Sequence, residues 1–293
     1  MHPTVTAVRS ATNVSDTDET EEMIVSVVIA VTSGKGGVGK TTICANLGYA
    51  LAVSGAKTIV ADLDTGLRNL DLHMGTDIQV INNLMDLAEE CCEAEQAMVA
   101  IKDVPNLFMV AAAQTRAKSA LTKAKLSVAL DKLRPLADVI LLDCPAGIDN
   151  GFLEAAVLAD RALVVTTPDR TSVRDADRVI GILGAEHMNS VDLVINMVQK
   201  KLIRKQACMS VEDIEETLHA KLIGVLPMEL KIAQDNNLGR FTSRSKHGNG
   251  KTFRKIAQFL LKDVTIGGEE KPAEKDPDPE KEQDKDKDKD KEK

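Results

Sequence analysis

Tryptophan is absent from the 293 residues, tyrosine occurs once, and aromatic residues make up only 2%. Hydrophobic residues reach 43%, so a full core is expected, built almost entirely from aliphatic side chains. No apolar run approaches the roughly 20 residues of a membrane-spanning helix. Residues 1–22 are polar and acidic, unlike a secretory leader. The five cysteines (Cys44, Cys91, Cys92, Cys144 and Cys208) contain no C-x-x-C pair. That argues against a disulfide framework and a cysteine zinc site, and the five histidines show no ligand spacing. A reducing cytoplasm is the expected compartment.

A basic bulk charge is also lacking. The net charge is −8, with about −4 in residues 1–24 and about −4 in residues 269–293. The stretch between them is near neutral, which predicts weak non-specific binding to nucleic acid. Residues 1–23 and 267–293 are therefore expected to be disordered, solvated extensions around one folded domain at 24–266.

That domain is organised around Ser33–Thr42, SGKGGVGKTT. Gly34 followed by Gly39-Lys40-Thr41 gives G-x-x-x-x-G-K-[ST], the phosphate loop. Glycines let the amides of Gly36, Gly37, Val38 and Gly39 turn inward as an anion nest. Lys40 supplies a mobile charge for the β- and γ-phosphates, and the Thr41 hydroxyl a ligand for Mg²⁺. Met23–Thr32 is an apolar, β-branched run, and the residues from Thr41 carry helical apolar spacing up to Gly55. Strand, loop and helix are the context this motif needs, and the helix start adds its positive dipole end.

Two further strands end in carboxylates. Lys57–Asp64 closes with Asp62 and Asp64, and Ala137–Asp149 contains four apolar residues ending in Asp143. Such positions lie on the ligand-binding edge of a parallel sheet. Asp143 reads as a Walker B acid holding a Mg²⁺-bound water. By residue type alone, Asp62 and Asp64 serve equally well as turn caps. The fold class expected is α/β, a doubly wound, mostly parallel sheet with helices on both faces.

The KGGVGKT loop, with Lys35 as a second lysine, resembles the deviant Walker A of the MinD/ParA group. The blocks around TGLRNLDLHMG, CPAGID and SVRDADR look closely similar to the MinD family of septum-site ATPases. The resemblance runs from about Ile24 to Leu261. It implies ATP hydrolysis with Mg²⁺ and an ATP-driven homodimer in which Lys35 reaches the partner subunit's phosphates. It places Asp62 near the magnesium, has Asp64 orient the attacking water, and puts Thr42 among the nucleotide-binding residues. It also implies adenine contacts at Asn196 and at Pro227, Met228 and Glu229. Met197 replaces the usual arginine, Met228 the usual acid, and Cys144 a small polar residue. Cys144 reads as a small buried residue, with no histidine to activate it.

Division-site partners similar to MinC and MinE follow from the resemblance where such a system is present. The family commonly ends in an amphipathic membrane anchor. Here the sequence after Ile266 is acidic and without Phe, Leu or Ile, so direct anchoring is not expected. Membrane contact would then come through a partner. The basic amphipathic stretch Phe253–Val264 suits either an interfacial helix or a last core helix, and its place in the family alignment favours the core. An alternative is a ParA-like or flagellar-number ATPase organising DNA or a polar protein, with basic stretches at Lys200–Lys205 and Arg240–Lys251. A third is an iron–sulfur carrier of the same superfamily, for which adjacent Cys91 and Cys92 are a poor match.

Overall fold

The computed structural model describes residues 26–64, 69–76, 80–113, 121–148, 150–188 and 190–266. Eight strands form one sheet: β1 (Val27–Thr32), β2 (Thr58–Asp62), β3 (Met98–Ala100), β4 (Leu107–Val110), β5 (Val139–Asp143), β6 (Arg161–Thr166), β7 (Val191–Val198) and β8 (Lys221–Pro227). Their spatial order is β3-β4-β2-β5-β1-β6-β7-β8. All neighbours are parallel except the three-residue β3, which runs antiparallel along β4. β1 sits where the chain order reverses, with β2 to one side and β6 to the other. In such sheets the ligand crevice lies there, beyond the carboxyl ends of the strands.

The helices are α1 (Lys40–Val53), α2 (Leu70–His73), α3 (Leu84–Ala88), α4 (Ala94–Ala97), α5 (Lys123–Leu133), α6 (Asn150–Leu158), α7 (Arg170–Ala185), α8 (Lys200–Arg204), α9 (Val211–Leu218), α10 (Leu230–Asn237) and α11 (Gly248–Leu260). Alternation along the strands divides the core in two. Ile29 and Val31 pack with α1 and α11 on one face. Val28 and Ala30 pack on the other face, in the layer of α3, α4 and α5. Farther along that face, Val164 and Ile195 pack against α7 and α9. The interior is aliphatic as expected; Phe152 and Phe253 are its only fully buried aromatic side chains among the described residues.

Local signals explain most boundaries. Ser210 caps α9 in a reciprocal box with Asp213. Asp169 caps α7 by accepting from the Ser172 amide at 3.0 Å. α11 settles the choice posed by Phe253–Val264: Phe253, Ile256, Ala257 and Leu260 are buried against the sheet and α1. The helix starts at Gly248, ahead of the stretch expected from sequence. The short strand β3 and the helices α8 and α10 were not foreseen. The basic stretch Lys200–Lys205 contains α8, and α10 follows Met228-Glu229. Residues 65–68 of the TGLRNLDLHMG block lie outside the described residues. Its remainder carries α2, whose following Gly75 meets Gly239, after α10, backbone to backbone.

Candidate nucleotide and metal site

The phosphate loop joins β1 to α1 at the centre of the sheet. Gly37 and Gly39 have φ values of 79° and 93°, in the left-handed region that favours glycine. Gly39 is constrained twice, because a Cβ there would lie 2.5 Å from the Asn196 amide nitrogen. Gly34 lies against the backbone of Asp175 in α7, leaving no room for a side chain. Gly36 has Ala146 as its nearest neighbour, across from the loop after β5. That loop is tied to the phosphate loop by the Gly147 amide, which donates to the Ser33 carbonyl at 3.0 Å. The 14-residue α1 begins with no side-chain cap and no acid in its first turn. Its free N–H groups and dipole end therefore face the loop's concavity, where an anion fits.

Below this concavity lie two acids. β2 and β5 are in register at Asp62 and Asp143, with exposures of 2% and 3%. Parallel neighbours in register stand about 4.8 Å apart. Burial, then the Asp143 charge, pushes the Asp62 carboxyl from 3.8 up to about 8, despite the Asp64 amide donating to its Oδ1 at 2.9 Å. Burial raises Asp143 as well, opposed by the Thr41 hydroxyl and the nearly buried Lys40. Asp143 Oδ1 is buried without a hydrogen-bond partner. Two crowded carboxyls and one orphaned oxygen beside a threonine hydroxyl suit a hard divalent cation with oxygen ligands. Among the described residues no cluster of three or more acidic, histidine or cysteine side chains could hold a metal by itself. The donor set therefore fits Mg²⁺, which keeps several waters and takes oxygens from a bound phosphate. Cys44 and Cys144 line the same buried region; burial raises both thiols well above their ordinary value, so both stay protonated.

On the outer side, Lys35 Nζ lies 3.3 Å from Asp169 Oδ1 and 3.2 Å from Thr171 Oγ1. Burial raises Asp169, but hydrogen bonds from Thr167, Thr171, the Ser172 amide and Lys35 outweigh it and hold the carboxyl far below its ordinary value. Lys35 and Asp169 are each 46% exposed, so this is a solvated, breakable pair.

A cavity of 420 Å³ runs from Lys35–Val38 to the ends of β7 and β8. Its walls include Met197, Leu202 and Met228, with Gln199 at the same end. The four residues expected at adenine are placed differently from one another. Met228 lines the cavity, whereas the Asn196 amide nitrogen donates to the Val38 carbonyl at 2.8 Å and braces the phosphate loop. The Pro227 carbonyl accepts from Asn249 at 2.9 Å. The Glu229 carboxylate packs against Gly248 at the head of α11. The Thr42 hydroxyl accepts from Asn236 of α10 at 3.0 Å. Sequence reasoning missed Asp169 and Gln199. The first carries a signal, Asp169 three residues before Ser172 at a helix start; the second carries none.

A glycine loop on an uncapped helix, with buried acids on the neighbouring strand ends, defines a P-loop nucleoside triphosphatase. The ParA family model, described as "NUBPL iron-transfer P-loop NTPase", matches residues 24–261. The septum site-determining protein MinD of Synechocystis sp. is 44% identical over 212 residues, 72% of this chain and 80% of that protein. Among solved structures, the MinC:MinD cell division protein complex of Aquifex aeolicus aligns with TM-score 0.75 and 34% identity. The alignment covers 85% of this chain and 99% of that one. MinD of Pyrococcus horikoshii OT3, complexed with Mg-ADP, aligns with TM-score 0.71 and 26% identity over 81% and 96%. The chain belongs to the MinD/ParA family of P-loop ATPases and is similar to MinD.

Proposed function

We propose that the chain is a Mg²⁺-dependent ATPase switch that dimerises on ATP and, as a dimer, recruits partners for division-site placement. The observation that carries this reading is the open N-terminus of α1, whose Lys40 and Thr41 act on the buried Asp143 beside Asp62. In it, amides of Gly36, Gly37, Val38 and Gly39 hold the phosphates with Lys40. Thr41, Asp62 and Asp143 are the residues that would hold Mg²⁺, which would supply positive charge to offset that of the phosphates. Asp64 orients a water in line with the γ-phosphate, and the low-dielectric floor strengthens each electrostatic contact. Lys35 leaves Asp169 and extends to the phosphates held by a second copy of the chain.

MinD of Aquifex aeolicus was solved with MinC, which supports a MinC-type partner here; a MinE-like partner belongs to the same proposal. The chain then works in the cytoplasm and reaches the inner face of the membrane through a partner. Two variants test the chemistry by calorimetry and phosphate release. Lys40→Ala is expected to lose ATP binding. Asp64→Ala is expected to bind ATP and lose about a hundredfold in hydrolysis, the scale of a misplaced reactant. Hydrolysis by Asp64→Ala at the wild-type rate would remove Asp64 from this role.

A further inference from the structure

We propose that the carboxamide of Gln199, held in one orientation by the thioether of Met228, selects adenine by reading the substituent at purine C6. The inference rests on the ATPase reading above, with the base seated in the 420 Å³ cavity beside the phosphate loop. The cavity's walls at this end are thioether and aliphatic: Met197, Met228 and Leu202. Such walls grip the flat face of any purine and discriminate little. Discrimination needs a polar group with a fixed donor and acceptor sense.

Cys208 brings only a thiol, a weak donor and acceptor, and in the chain without nucleotide the remaining polar side chains lining the cavity engage one another. Asp169 accepts from the Thr167 and Thr171 hydroxyls, the Ser172 amide and Lys35. Thr167 and Lys35 are engaged by that same carboxylate. Gln199 differs. It precedes α8 without using its side chain as a cap. Its Nε2 donates to Met228 Sδ at 3.0 Å, and its Oε1 accepts no hydrogen bond among the described residues.

The backbone presents this group deliberately. The β7–β8 register shifts between Ile195 and Val198, and Met197 sits at φ 56°, a left-handed conformation that costs a non-glycine residue energy. The irregularity brings Met197 and Gln199 both to the cavity, and the Met228 amide, donating to the Val198 carbonyl at 3.0 Å, fixes the opposite wall.

The N–H···S contact sets the orientation of the amide. With nitrogen toward sulfur, the oxygen is turned away from Met228 and left to the base in this reading; the reverse would set two acceptors against each other. An outward oxygen accepts from the 6-amino group of adenine. Guanine and hypoxanthine carry a carbonyl at C6, which meets that oxygen as a second acceptor. The amide must then flip, losing its bond to Met228, or hold its oxygen against the carbonyl oxygen of the base with only water to part them.

Calorimetry with the full chain and ADP, GDP and IDP tests this without turnover. IDP isolates the C6 substituent because it lacks the 2-amino group of guanine. Wild type is expected to bind ADP about fivefold more tightly than IDP or GDP, the scale of one lost hydrogen bond. Gln199→Leu is expected to weaken ADP and leave IDP nearly unchanged, bringing the ratio close to one. Met228→Leu frees the amide to flip, so IDP binding is expected to rise while ADP binding holds. A merely structural role for Met228 would not move the ratio. ADP preference unchanged in Gln199→Leu, or no preference in wild type, overturns the proposal. Failure of wild type to bind ADP at all would instead overturn the phosphate-site reading beneath it.

Discussion

At the scale of single residues, the site is built on two carboxyls buried side by side. Asp62 and Asp143 occupy matching positions on adjacent strands, and both are buried. The Asp62 carboxyl stands at about 8 when folded, against an ordinary 3.8. Between those values the folded chain holds a proton that the unfolded chain has released. Stability without metal or nucleotide must therefore fall as pH rises through that window and level off above it. Each pH unit inside the window removes up to about 1.4 kcal/mol. Thermal melts in chelator from pH 5 to pH 9 are expected to show this decline, and Asp62→Asn to flatten it. Parallel profiles for the two proteins would show that Asp62 does not titrate in this range.

At the scale of elements, α11 closes one face of the sheet. Phe253 is fully buried there, against a core shared with α1 and β8. Phe253→Ala should remove about 3–5 kcal/mol of stability, the range for a large aromatic lost from a core. Urea unfolding checks this; a change under about 1 kcal/mol would mean that the helix is only loosely docked. The same packing explains what could be read in the sequence. β1, β2 and β5 are continuous apolar runs because both of their faces are covered, and α11 shows its stripe because one face is. α10 buries no residue, so it leaves no periodic signal. α8 has five residues and no capping side chain, and only its charges were legible. β3 is three residues long and depends on β4 for its conformation.

The site divides along the same line. Loop glycines, Lys40, Thr41 and the strand-end acids announce themselves because phosphate and metal chemistry restricts residue type at fixed spacing. Asp169, 134 residues beyond Lys35, and Gln199, aimed by a bulge, depend on how distant segments meet.

At the scale of the whole molecule, the half-exposed Lys35 is the group best placed to make one copy depend on another. Light scattering with ATP under conditions that slow hydrolysis is expected to give dimers for wild type and monomers for Lys35→Ala, with ATP binding retained. Equal dimerisation by both would rule out a trans role for this lysine. The edges of the sheet bear on how copies meet. On one side lies β3, short and antiparallel; on the other, β8 opens with exposed Lys221 and closes with Pro227, which has no N–H to give. Among the described residues the first border is three residues long, and the second carries a charge at its start and lacks an amide at its end, features that discourage pairing with a neighbouring strand. Self-association by sheet extension, the route to fibres, is thereby disfavoured even where the chain is locally concentrated. In the proposed switch, pairing would fall to side chains and loops around the nucleotide and could be undone whenever the nucleotide changes.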